Sequence, residues 1–219
     1  KEYDVYLPKN YDENTDRSYP VLYLLHGYSG DNHNWNKRGR VREVLEYLLN
    51  AGEICEMIVV MPDADADIPS AEHGYFNHPH WRYEDYFFTE FLPRVEKRYR
   101  IKADKGHRAI TGLSMGGHGA MWLAIRHKDV FGAVGTTSGG LDIRPFPNHW
   151  NMKNQLGERD ENLDVWNNHT VVNQLERLKQ GDLDIIIDCG IDDFFLAVNK
   201  MVHDRLSQLK IPHDFILRP

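Results

Sequence analysis

Ten residues constrain this chain more than any others: Thr111-Gly112-Leu113-Ser114-Met115-Gly116-Gly117-His118-Gly119-Ala120. His107 to Thr111 reads as a short buried strand, while Met115 to His127 carries Ala120, Met121, Leu123, Ala124 and Ile125 at helical density. Ser114 therefore falls at a strand-to-helix turn inside a G-x-S-x-G motif, the setting of a nucleophile elbow. A backbone bent that sharply tolerates only small neighbours, so Gly112 and Gly116 leave out the Cβ atoms that would clash with the turn. The first amides of the following helix carry partial positive charge and favour an oxyanion beside the serine. A glycine-rich loop with a capping serine would account for Ser114, but not for glycine on both sides of it.

The rest of the chain alternates in the same way. Val21 to Leu25 and Met57 to Met61 are continuous apolar runs ending at His26-Gly27 and Pro62-Asp63, as central strands with functional loops at their carboxyl ends would. Asp184 to Asp188 and His213 to Leu217 read as later strands, with Phe131 to Gly135 between them and the elbow. Helical spacing marks Val41 to Leu49, Tyr86 to Tyr99 and Phe194 to Leu209, with a short helix around Val171 to Lys179. Pro93 predicts a kink in the second of these. Such alternation predicts an α/β fold, a mainly parallel sheet covered by helices on both faces. Within 219 residues there is no linker, repeat or low-complexity tract, so a single α/β domain over residues 1–219 is expected.

Several function classes are disfavoured by composition. The net charge of −7, with acidic and basic residues interspersed, argues against nucleic acid as a partner. No apolar run approaches the ~20 residues of a membrane span, and no signal peptide is visible at Lys1. Cys55 and Cys189 allow at most one disulfide and no cysteine-based zinc site; Cys189 ends an apolar strand and reads as a buried small hydrophobe. Asp63, Asp65 and Asp67 lack the glycine and distal glutamate of a calcium-binding EF-hand loop, so a solvated acidic loop is expected there. Nothing calls for a metal or a cofactor.

A serine nucleophile needs a base to take its proton, and the base needs an acid to orient it. Asp188-Cys189-Gly190-Ile191-Asp192-Asp193-Phe194 leaves a strand through glycine and sets Asp192 and Asp193 just before a helix. Either could be the acid, and either could cap the helix. His26 precedes a glycine-rich turn at a strand end, where holding the loop by hydrogen bonds is its expected role rather than general base.

The segments Leu24-Leu25-His26-Gly27-Tyr28-Ser29-Gly30, Gly112-Leu113-Ser114-Met115-Gly116-Gly117 and Asp188-Cys189-Gly190-Ile191-Asp192-Asp193 resemble the esterase D family of α/β-hydrolases. That family includes the feruloyl and acetyl xylan esterases of carbohydrate esterase family 1, S-formylglutathione hydrolases and mycobacterial mycolyltransferases. The similarity runs from about Val5 to Pro219. It implies an α/β-hydrolase fold, here lacking its extreme N- and C-terminal elements, and a secreted or periplasmic setting. It maps the triad acid onto Asp193 and the oxyanion hole onto the backbone amides of Tyr28 and Met115. It also places the catalytic histidine in a turn directly after Phe215-Ile216-Leu217-Arg218-Pro219, so the base is expected just beyond Pro219 in a longer polypeptide. None of the 12 histidines is spaced to replace it. His213 begins the last strand at the end away from the site, His118 lies inside the elbow helix where it packs or faces solvent, and His73, His78, His80, His149 and His169 lie in loop-rich segments.

The resemblance implies a serine carboxylic-ester hydrolase that works through an acyl-enzyme, on acyl esters of carbohydrate or hydroxycinnamate type. Other readings are acyl transfer to a sugar hydroxyl, a thioesterase like S-formylglutathione hydrolase, and a non-catalytic carbohydrate-binding relative. Tyr28-Ser29-Gly30 stands where S-formylglutathione hydrolases carry a Thr-Cys pair, which weighs against the thioesterase. The pocket is expected from the loops Asp63 to Arg82 and Gly139 to Trp166, whose rings are Tyr75, Phe76, Trp81, Phe146, Trp150 and Trp166. Such rings suit a feruloyl or sugar-bearing ester and suit packing under a long loop equally well.

Overall fold

The computed structural model describes residues 2–64 and 74–219. Its centre is a sheet of seven strands: β1 (Tyr3–Tyr6), β2 (Val21–Leu25), β3 (Ile58–Pro62), β6 (Arg108–Gly112), β7 (Ala133–Thr137), β8 (Asp184–Gly190) and β9 (Asp214–Arg218). A separate two-stranded hairpin pairs β4 (Asn77–His78) with β5 (Trp81–Arg82). The order across the sheet is β1-β3-β2-β6-β7-β8-β9, and only β1 runs antiparallel to its neighbour. The predicted mainly parallel α/β sheet is thus present, and each apolar run became a strand within one or two residues of the limits read from the sequence.

Both faces are covered because successive strand residues point to opposite sides. Tyr23, Leu25, Val60 and Ile110 enter the larger core, which holds the buried length of the elbow helix Met115–Arg126. Leu24, Val59 and Met61 point the other way, against Leu45 of the helix Val41–Asn50. The helix Leu196–Gln208 adds Val202 and Leu206 to the larger core beside Ile185 and Ile187.

Two helical expectations change in detail. The stretch predicted as a kinked helix from Tyr86 to Tyr99 runs as an α-turn (Tyr83–Tyr86), a π-turn (Phe87–Phe91) and an α-helix (Leu92–Arg98). Pro93 has no N–H and its ring crowds the preceding turn, so a widened turn just before it absorbs both faults. The short helix near Val171 is a 3-10 helix, Val171–Arg177. Both cysteines are free, Cys55 exposed and Cys189 buried, so no disulfide joins them.

Parallel pairing brings the carboxyl ends of the central strands to one edge. Leu25 pairs with Gly112, Thr137 with Asp188, and Gly190 with Arg218. The loops that leave β2, β6, β7 and β8 therefore meet there, where ligands bind in open α/β sheets.

Candidate active site

Ser114 caps the elbow helix with φ 56° and ψ −112°, a left-handed conformation that a residue with a side chain adopts only under constraint. The constraint is visible. The Ser114 amide donates to the Thr137 carbonyl at 3.0 Å, and the Ser114 carbonyl accepts from the His118 amide at 3.0 Å and the Gly140 amide at 3.3 Å. Three segments thus hold the one backbone unit. A Cβ on Gly116 would stand 2.6 Å from the His26 carbonyl oxygen, so this glycine lets the helix approach β2 rather than relieving the turn itself.

The loop after β2 meets the elbow at Gly27, where an added Cβ would lie 3.7 Å from the Ser114 Cβ. The next amide is that of Tyr28. Neither it nor the Met115 amide donates to another described residue, and Tyr28, Ser114 and Met115 border one pocket. His26 locks the loop. Its Nδ1–H donates to the Gly27 carbonyl at 2.8 Å, and its Nε2 accepts from the Ala64 amide at 3.0 Å. Those two partners assign a neutral ring with both nitrogens engaged, leaving none for proton transfer. The Tyr75 hydroxyl adds a bond to the His26 carbonyl at 3.0 Å.

Asp192 and Asp193 separate cleanly. Asp192 is exposed, whereas Asp193 is half-buried and its Oδ1 accepts from the Phe195 amide at 2.7 Å. That bond closes a short turn ahead of the helix and fixes the carboxylate in place. Strand β9 runs beside this turn: Arg218 pairs with Gly190, and its carbonyl accepts from the Ile191 amide at 2.8 Å. Asp63 is buried with His26; its companions Asp65 and Asp67, and His73, lie outside the described residues.

Beside Ser114 the pocket has apolar walls of Phe76, Ile143, Trp150, Met152 and Phe195. Both expected loops contribute to it. Of the rings read from the sequence, Phe76 and Trp150 line the pocket, and Phe146 supports Phe195 at 5.2 Å. Tyr75, Trp81 and Trp166 are buried packing residues. His118 borders the pocket from the elbow helix, its ring stacked on Trp122, which stacks on His169 in turn. Its Nε2–H donates to the His169 carbonyl at 2.9 Å, and burial pushes its pKa down to about 4.

Residues 2–209 match the Esterase family model, described as "Putative esterase". The chain belongs to this family. A solved ferulic acid esterase shares 38% of residues at a TM-score of 0.87, over 99% of this chain and 83% of that one. A CE1 ferulic acid esterase from Anaeromyces mucronatus, solved with ferulic acid, is 25% identical at a TM-score of 0.72, over 98% of this chain and 76% of that one. The endo-1,4-beta-xylanase/feruloyl esterase of Xylanibacter ruminicola is 34% identical over 63% of this chain and 19% of its own length. The chain thus spans well under two thirds of that curated relative. The matched structures are α/β-hydrolase-fold proteins, as the resemblance implied.

Sequence reading missed Ile143, Met152 and Phe195 in this pocket, and did not foresee His118 on its wall. Phe195 carried a usable signal, since it stands two residues after Asp193. Ile143 and Met152 enter through a loop of irregular path, where spacing gives no cue.

Proposed function

We propose that this protein is a serine carboxylic-ester hydrolase acting on hydroxycinnamoyl esters of the feruloyl type, within a single α/β-hydrolase domain. The observation that carries this reading is the constrained Ser114 on the wall of an apolar, ring-lined pocket that the Tyr28 and Met115 amides also border. The 38% identical ferulic acid esterase and the feruloyl-type curated relative support the acyl group.

In this reading Ser114 Oγ attacks the ester carbonyl as an imidazole takes its proton. The new oxyanion receives hydrogen bonds from Tyr28 and Met115, whose amides need no reorganisation. The imidazole returns the proton to the departing alcohol, and water then cleaves the acyl-enzyme by the same steps in reverse. Asp193 orients that imidazole. The imidazole is the one expected after Pro219, and the register of β9 supports its delivery next to Asp193.

The test is hydrolysis of methyl ferulate and of an acetylated sugar by the full-length protein and by Ser114→Ala. Ferulate release by the parent alone is the expected result. Equal release by both proteins would remove Ser114 from the mechanism, and a new ester formed only with acceptor sugars would favour acyl transfer.

A further inference from the structure

His118 sits one helical turn beyond Ser114, and residues four apart lie above one another on a single helix face. It is 5% exposed and borders the same pocket as the serine. Its ring cannot turn freely: Nε2–H is engaged by the His169 carbonyl at 2.9 Å, Trp122 stacks on it at 6.0 Å, and Phe76 meets it edge-on at 5.7 Å. With the proton on Nε2, the neutral ring keeps a lone pair on Nδ1, and no described residue donates to that atom. Burial disfavours the imidazolium, so the lone pair stays available at neutral pH. An acceptor with no protein donor is open to one supplied by a bound ligand.

We propose that His118 Nδ1 accepts a hydrogen bond from a ring hydroxyl of the bound acyl group, which makes His118 a specificity-determining residue for hydroxycinnamoyl esters. The proposal rests on the feruloyl-type reading above. An acetyl group ends one bond from the reacting carbon and cannot span a helical turn of about 5.4 Å. A propenoyl arm with a hydroxylated ring reaches that far, and the rings of Phe76, Trp150 and Phe195 flank its path.

The test compares methyl 4-hydroxycinnamate with methyl cinnamate, which differ by one hydroxyl, in the full-length protein. The expected kcat/KM is roughly tenfold or more higher for the hydroxylated ester, because the other leaves the acceptor unpaired. His118→Gln keeps a donor for the His169 carbonyl but loses the acceptor at Nδ1, and brings the ratio close to one. His118→Asn sets an amide oxygen near the Nδ1 position and keeps most of the preference. A parent ratio near one, or an unchanged ratio in His118→Gln, overturns the proposal. The same question is put without turnover by calorimetric titration of the two free acids into Ser114→Ala. A preference for 4-hydroxycinnamate that disappears when His118→Gln is added supports the proposal even where neither ester is cleaved, a result that would count against the esterase reading alone. Equal affinities overturn it.

Discussion

A Cβ on Gly112 would stand 2.9 Å from the Cα of Gly116, and one on Gly116 would stand 2.6 Å from the His26 carbonyl oxygen, so neither glycine can be replaced without moving the backbone around Ser114. Gly112→Ala and Gly116→Ala are each expected to cost about 3 kcal/mol by overpacking backbone against backbone. Gly52, where an added Cβ meets nothing within 4 Å, provides the control for a glycine in open space, although its φ of 71° carries its own strain. Urea unfolding of the three variants checks the ranking.

Ser114, the proposed nucleophile, holds a positive φ, and the strain is expected to be recoverable. Ser114→Gly should raise stability by about 1 kcal/mol over Ser114→Ala, because only glycine adopts this conformation without cost. Both should abolish ester cleavage. Thermal melts set beside rate assays separate the two effects; a melting order with alanine above glycine would contradict the strain.

The two aspartates after β8 predict opposite outcomes. Asp193→Asn should lower kcat by roughly 10³- to 10⁴-fold, the loss expected when the orienting acid is replaced. Asp192→Asn, at an exposed position, should leave kcat within about threefold of the parent. Steady-state kinetics on methyl ferulate decide between them.

Behind the pocket, Glu84 is buried and its carboxylate accepts from Trp122 Nε1 at 3.0 Å, Arg126 Nε at 2.8 Å and His127 Nε2 at 2.8 Å. Burial alone would raise its pKa, but the hydrogen bonds from His127 and Arg126, the Arg126 charge and the Trp122 N–H outweigh it and hold the group at about 2. A folded pKa below the unfolded value means stability that is present above about pH 4.5 and is lost as pH falls toward 2. The loss should be about 3 kcal/mol for the parent. It should be smaller for Glu84→Gln, which begins less stable because Arg126 and His127 lose their counter-charge. Urea unfolding across pH 2–7 measures both slopes.

Much of this architecture could be read from residues alone because the central strands are buried on both faces. Runs such as Val21 to Leu25 can then be apolar throughout, and the elbow glycines have no neutral substitutes. The site's backbone elements share that legibility: Ser114, Tyr28 and Asp193 each leave a strand end through a glycine-marked turn. The acyl pocket does not. Ile143 and Met152 reach it along a loop whose path depends on contacts such as the Asp142–Arg144 ion pair, and no periodicity records those. The π-turn before Pro93 was equally hidden, since proline announces a fault in a helix but not how the preceding turn absorbs it.

Gly140, on the pocket wall, donates to the carbonyl of Ser114, and the Ser114 amide is fastened to the end of β7, from which that wall departs. The proposed nucleophile and the near edge of the pocket are therefore indexed to a common origin, while the residues farther along the loop are not. Descendants of such a chain could exchange Ile143, Trp150 or Met152 and acquire a taste for a different acid without retuning the catalytic turn. In the proposed reading selectivity is therefore divided: what His118 reads rides on the fixed elbow helix, and the shape of the chamber is left to parts that can be exchanged.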